Sequence, residues 1–224
     1  GNDSSGTGNA ATVFNGSYGA GVAGQALTLD GSSPYAPVNA APSLNMSQYA
    51  VSLWVNPTVD PDYWTGVFGK PGRNYNFWLG ESNDAGGGFV HHRWHDGAGT
   101  NSGAPDAHNI PMGTWTHVML MNSGTTGQTY INGNLVQQGA VQGLIPDNTQ
   151  LIMGRNLDGG GDSYFRGQID QVAIWNSQIS PIELPRLASG AITPLQVTNA
   201  LAASYKIVAY NASGTAAGNS TFSA

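Results

Sequence analysis

The run His91-His92-Arg93-Trp94-His95-Asp96 gathers three imidazoles, a guanidinium, an indole and a carboxylate into one strand's length of chain. Strand alternation divides it into two sets, His91, Arg93 and His95 on one face and His92, Trp94 and Asp96 on the other. The pattern does not say which set meets solvent. Zinc is one chemistry to weigh, but His91 and His95 lie about 13 Å apart on an extended chain, lack a third ligand nearby and flank a cation. Sugar recognition is the better fit. It needs flat rings against C–H surfaces, with imidazole, amide and guanidinium groups for the hydroxyls. Tyr63, Trp64, Arg73 and Trp78 extend the same chemistry into turn-rich segments, where Trp64 either binds a flat partner or folds back over an edge. The candidate ligand-binding residues are therefore Trp64, Arg73, Trp78, His92, Trp94 and His95. Ordinary core or surface histidines are the competing reading.

Catalytic arrangements are scarce. Glycosidases place two carboxyl groups about 5–9.5 Å apart, yet Glu81 and Glu183 are the only glutamates, and Glu183 lies in a helical-looking stretch away from the strands. No Gly-x-Ser-x-Gly elbow occurs, and the absence of cysteine removes thiolate nucleophiles, thiolate metal sites and disulfides. His117 and Tyr130 read as strand packing. The enzymatic alternative is a glycoside hydrolase or a polysaccharide lyase, the latter using His92 or His95 as base and Arg93 against a substrate carboxylate.

The elements that must position these residues are strands. A chain of 224 residues suits one generous β-sandwich, with 32 glycines, 9% charged and 40% hydrophobic residues. The net charge of −6 supplies no field for phosphate, so nucleic acid is excluded as a partner. No apolar run approaches the roughly 18 residues of a spanning helix, so membrane insertion is not expected. Residues 1–12 are small and polar and read as a flexible leader without signal-peptide character, as in a mature or excised piece. Strands are predicted over 26–29, 49–55, 66–69, 75–79, 89–94, 115–121, 129–131, 151–153 and 168–175. Val51, Leu53 and Val55 share one face of the second, and Trp54 on the other implies that both faces are covered. Asn132-Gly133 between Tyr130-Ile131 and Leu135-Val136 predicts a two-residue hairpin turn, since both central positions need positive φ. In the last strand Ile169 cannot share a face with Val172 and Ile174 unless a bulge intervenes, so it is buried on both faces or bulged. Pro181 to Leu187 is the one helical turn.

The order of these segments resembles the laminin-G-like, concanavalin A-like lectin/glucanase jelly roll of bacterial secreted proteins. The resemblance spans residues 24–190 and rests on Leu27-Thr28-Leu29-Asp30-Gly31, Tyr49-Ala50-Val51-Ser52-Leu53-Trp54-Val55-Asn56-Pro57, Gly69-Lys70, Gly113-Thr114-Trp115-Thr116-His117-Val118, Tyr130-Ile131-Asn132-Gly133, Leu151-Ile152-Met153-Gly154-Arg155, and the closing run from Phe165 to Trp175. It implies an all-β, two-sheet antiparallel sandwich, with the Trp115 indole in its interior. It also implies a structural Ca2+ near Asp30 and Asp170, with carbonyls of Gly31 or Gln168 completing the oxygen set. The metal candidates are thus Asp30, Gln168 and Asp170, and the Asp158 to Asp162 loop is a weaker alternative.

Residues 192–224 depart from that family. Ser204 to Thr215 resembles the last strands of a fibronectin type III domain, and about thirty residues cannot close a sandwich, so an additional C-terminal β-hairpin or partial second module is expected. The domain division is a leader at 1–12, the jelly roll at 13–191 and the C-terminal strand pair at 192–224. The functional expectation is a non-catalytic, secreted or cell-surface module that binds a polysaccharide or other glycan. The alternatives are a fibre or adhesin subunit that self-associates through its C-terminal strands, and a polysaccharide-active enzyme.

Overall fold

In the computed structural model of the chain, residues 2–59, 65–71, 76–81, 87–93, 109–141, 148–155 and 164–198 are described. Thirteen strands lie among them: β1 Ser17–Ala20, β2 Gln25–Asp30, β3 Ala36–Val38, β4 Tyr49–Pro57, β5 Thr65–Gly69, β6 Asn76–Glu81, β7 Gly87–Arg93, β8 Asn109–Pro111, β9 Thr116–Asn122, β10 Thr126–Ile131, β11 Asn134–Ala140, β12 Leu151–Met153 and β13 Arg166–Trp175. They pair antiparallel into a seven-stranded sheet, β1-β2-β13-β4-β9-β10-β11, and a six-stranded sheet, β3-β12-β5-β6-β7-β8. Three of these strands, β1, β3 and β8, carry no predictive pattern. The edge strands β3 and β8 each hold a proline, Pro37 and Pro111, which breaks the strand signal and suits an edge where an N–H is dispensable.

Alternation decides the core. Val51, Leu53 and Val55 of β4 and Val118 and Leu120 of β9 face inward, against Phe77, Leu79 and Val90 of the opposite sheet. The other face of the seven-stranded sheet buries Ala50, Met119, Met121, Ala173 and Trp175 beneath helix α1, Glu183–Ala188. Leu184 and Leu187 seal that second core together with Ile192 and Val197, each such side chain contributing roughly 1.5–3 kcal/mol of burial. A sheet with apolar side chains on both faces needs two covers, and the helical turn after β13 is the second.

Both ends of the described chain are tied to the sandwich more closely than the sequence implies. Residues 2–12 are not a loose leader: Asp3 accepts hydrogen bonds from Ser5, Thr7 and Asn9, Ala11 bridges Val38, and Asn9 and Ala11 are buried. At the other end, Ile192 and Val197 belong to the second core, so the division at 191 falls inside a packed layer. The strand pair expected from Ser204 onward lies outside the described residues. Trp115 is half-buried and precedes β9, outside both core clusters, rather than filling the interior.

The hairpin at Asn132-Gly133 forms as expected, with φ of 48° and 82°. It is stitched to the neighbouring strand β9, because the Asn132 side chain accepts the His117 N–H at 3.0 Å and its own N–H donates to the His117 carbonyl at 2.9 Å. A Cβ on Gly133 would sit 3.3 Å from the Ala188 methyl and 3.4 Å from Pro185 Cα. Gly133→Ala is expected to cost about 1–2 kcal/mol from positive φ alone, read as a lower urea midpoint at unchanged slope.

Candidate functional site

His92 points into the sandwich. It is fully buried, with Nε2 2.8 Å from the Tyr49 hydroxyl and Nδ1 3.2 Å from Thr129 Oγ1. Both ring nitrogens are thus spent on a polar bridge between the two sheets, which corrects its assignment as a ligand contact. The same register resolves the alternation left open by the sequence. Trp78 pairs with His91 and Asn76 with Arg93, at positions alternating with the buried Phe77, Leu79, Val90 and His92. The His91 and Arg93 positions therefore belong to the face away from the core. Trp64, Arg73, Trp94 and His95 lie outside the described residues.

The set proposed for calcium does not converge. Asp30 pairs with Arg166 across β2 and β13, four residues from Asp170, a separation of about 13 Å along the strand. Asp30 is exposed and closes its own turn, accepting the Ser32 N–H at 2.8 Å and the Ser32 hydroxyl at 2.6 Å. Those hydrogen bonds hold its carboxyl below the usual carboxylate range. The Gln168 amide donates to the Ala20 carbonyl and accepts from Asn56. Asp170 is buried and faces N–H donors, Ala23 at 3.1 Å and Gln171 at 2.7 Å, where a cation would need oxygens. Burial pushes its carboxyl upward, opposed by the N–H groups of Ala23, Gln171 and Val22. Among the described residues no three His, Asp or Glu side chains converge as metal ligands. The Asp158 to Asp162 loop is outside them.

Two features emerge that the sequence reading did not single out. The first is a stack of three aromatic rings and a guanidinium. Phe14 and Tyr35 lie face to face at 5.2 Å and 19°, and the Arg155 guanidinium carbon is 5.3 Å from the Tyr35 ring centre and 5.4 Å from that of Tyr164, within cation–π range. Each half is locked by a backbone bridge, Phe14 to Tyr35 and Arg155 to Tyr164. Phe14 is 44% exposed, while Tyr35, Arg155 and Tyr164 are half-buried. The members come as two pairs, Phe14 with Tyr35 and Arg155 with Tyr164, from opposite ends of the chain, so no periodicity announces them.

The second is a pocket of about 80 Å³ on the outer face of the seven-stranded sheet, where the β1–β2 turn meets the segment after α1. Its lining includes Ser52, Trp54, His117, Gln171, Ile192 and Pro194. His117 Nε2 is 2.8 Å from Ser52 Oγ, the Trp54 indole meets its ring edge-on at 5.3 Å, and its Nδ1 has no hydrogen-bond partner among the described residues. Burial drives the His117 pKa down to about 3, so the ring is neutral. The Ser52–His117 pair is not a hydrolase triad, because Trp54 lies between His117 and Asp170 in register and the Asp170 carboxylate is turned to backbone donors.

Residues 30–184 match the family model of the concanavalin A-like lectin/glucanases superfamily. The chain belongs to that superfamily. Its two-sheet jelly roll is shared by domain 4 of AbnA, a GH43 extracellular arabinanase from Geobacillus stearothermophilus solved with arabinotriose, at 23% identity and a TM-score of 0.64, covering 80% of this chain and 87% of that one. The binding domain of Paraclostridial Mosquitocidal Protein 1 superposes with a TM-score of 0.62 at 15% identity, over 83% of this chain and 48% of the other. A native heptameric SAP-like pentraxin from Limulus polyphemus gives 0.54 at 15% identity, covering 76% and 88%. In sequence, 100 residues are 31% identical to the rat sushi, von Willebrand factor type A, EGF and pentraxin domain-containing protein 1; they are 40% of this chain and span only 3% of that relative.

The buried neutral histidine of this lectin/glucanase-type domain predicts a pH dependence. The unfolded chain takes up a proton at His117 below its ordinary value of 6.5 while the folded one does not until about 3. Stability is therefore lost as the pH falls through that window, by about 1.4 kcal/mol per unit. Asp170, raised by burial, works in the opposite direction above 3.8. Denaturant titrations at pH 7, 6 and 5 should show the decline in the native chain and a shallower one in His117→Gln.

Proposed function

We propose that the chain is a non-catalytic, extracellular glycan-binding module whose contact surface is built on Phe14, Tyr35, Arg155 and Tyr164. The observation that carries this reading is the stack itself: an exposed aromatic ring, held in orientation by its backbone bridge, stacked on Tyr35, whose ring also meets a guanidinium oriented by two rings. Sugar C–H faces pack on such rings and hydroxyls bond such a group, and pre-orientation lowers the ordering cost of binding. The arabinotriose bound to the structurally similar arabinanase domain favours a saccharide over a protein ligand. The acids favour binding over catalysis. Asp3, Asp30, Asp170 and Glu183 all accept hydrogen bonds from the chain's own N–H groups, which turns these four carboxylates to structural work. Calcium has no part in this reading, and retention is expected to survive chelation.

A second reading, a subunit that assembles by strand addition, has one observation in its favour. The edge strand β11, Asn134–Ala140, contains neither charge nor proline, the usual devices that keep an edge from pairing. Concentration-dependent mass in sedimentation equilibrium, abolished by Gln138→Pro, would favour it; a monomer at all concentrations would dismiss it.

The glycan-binding reading is checked by retention on a panel of insoluble polysaccharides that includes arabinan. Phe14→Ala and Tyr164→Ala are each expected to weaken retention about 3- to 10-fold, the magnitude of one aromatic contact, with unchanged melting temperature. Equal retention of the native chain and both variants would remove the stack from the site.

A further inference from the structure

Two Asn-Gly pairs occur in the chain, Asn15-Gly16 and Asn132-Gly133. Asparagine is a thermolabile residue, most of all before glycine, where no Cβ hinders attack by the following backbone nitrogen. The fold requires the first pair as firmly as the second. Asn15 has φ of 52°, a conformation that few residues besides glycine, asparagine and aspartate adopt. A Cβ on Gly16 would sit 2.8 Å from Val13 Cγ1 and 3.2 Å from Leu27 Cδ1, so a side chain there would displace both. The pair forms the joint between the Phe14–Tyr35 bridge and β1, which begins at Ser17.

The two pairs differ in how the amide is held. The Asn132 carboxamide oxygen accepts the His117 N–H at 3.0 Å. Swinging that side chain back onto the Gly133 nitrogen would strip a donor inside the sheet of its partner, a penalty that slows reaction about tenfold or more. Asn15 is exposed, and among the described residues its amide is tied only to the Ser33 hydroxyl, at 3.3 Å and in solvent. The Gly16 N–H donates to no acceptor among the described residues, which leaves the attacking nitrogen uncommitted. The related pair Asp30-Gly31 would cyclise only through a protonated carboxyl, and the two Ser32 donors hold that carboxyl ionised and in place.

We propose that Asn15-Gly16 is a self-modification site. There the Gly16 nitrogen attacks Asn15 Cγ and turns the asparagine beside the aromatic stack into aspartate and isoaspartate, with water as the sole co-reactant. Solvent takes the N–H proton, the N–Cγ bond forms, the Cγ–Nδ2 bond breaks, and Nδ2 leaves as ammonia with a proton from solvent. Water then opens the five-membered imide. Addition at Cγ restores the chain and gives aspartate; addition at the Asn15 main-chain carbonyl leaves the chain running through Cγ, one methylene longer, as isoaspartate. Either product sets a carboxylate one residue from Phe14, and isoaspartate also lengthens the joint that ties the Phe14–Tyr35 bridge to β1. For a surface that grips with a pre-oriented ring, the result is a loss of hold with age. That consequence, unlike the site itself, rests on the glycan-binding reading.

The test incubates the full chain at pH 8 and follows both Asn-Gly pairs by peptide mapping in a mass spectrometer, with isoaspartyl methyltransferase labelling for the rearranged product. Asn15→Gly, which keeps the positive φ and has no amide to lose, is run beside it. Asn15 is expected to convert about tenfold faster than Asn132 in the folded chain, or more, with the two rates approaching one another in urea. Methyl-accepting product should accumulate in the native chain and fall several-fold in Asn15→Gly. An unconverted Asn15, or an Asn132 that keeps pace with it in the folded chain, would overturn the site. Polysaccharide retention of fresh and aged chains separates the two readings. Retention that falls several-fold on ageing in the native chain, and holds in Asn15→Gly, supports the loss of hold; equal retention of fresh and fully converted chain would overturn it. Conversion at Asn15 with no retention by the fresh chain would sink the glycan reading and leave the modification site standing.

Discussion

The Asp170 carboxylate, buried in the middle of β13, accepts the N–H of Gln171 with one oxygen and that of Ala23 with the other, so one side chain holds both the bulge in its own strand and the turn between β1 and β2. The turn comes close enough only because Gly21 lacks a side chain; a Cβ there would collide with Asp170 Oδ2. From this arrangement much else follows. The bulge shifts the register between Asp170 and Ala173, which places Ile169, Val172 and Ile174 together in the main core while Ala173 and Trp175 enter the second one. Without it the strand would turn half its apolar residues to the wrong layer.

The polar groups of the interior are arranged by the same economy. His92, Tyr49 and Thr129 satisfy one another across the two sheets, Lys70 donates to the Leu44 carbonyl at 2.7 Å, and Glu183 accepts both the N–H and the hydroxyl of Thr198, fastening the covering layer at its end. His117 is engaged through Nε2 by Ser52, while its Nδ1, like Trp175 Nε1 and Asn122 Nδ2, is buried without a hydrogen-bond partner among the described residues.

The aromatic stack and the pocket beside His117 differ in how they are built. The stack of Phe14, Tyr35, Arg155 and Tyr164 lies at the surface with Phe14 exposed and is held by two backbone bridges. The pocket beside His117 is recessed between the sheet and its second cover.

Local chemistry by itself was enough for several elements. Asn132-Gly133 dictates its turn because few other pairs accept two positive φ values. The phase conflict among Ile169, Val172 and Ile174 already demands a bulge or a doubly buried strand, and β13 is both. Trp54 opposite Val51, Leu53 and Val55 already implies a second cover. The superfamily could be read from such segments in order. Which set of the His91 to Asp96 run faces inward could not, because period-two alternation is symmetric until the sheet is docked; docking sent His92 to the core and made it structural. Nor could the stack, in which the Phe14–Tyr35 and Arg155–Tyr164 pairs meet from remote parts of the chain, nor the distance between Asp30 and Asp170, which depends on strand register rather than on residue type. Composition and spacing determine which strands form and which face is apolar; only the pairing of distant strands decides which polar side chains meet.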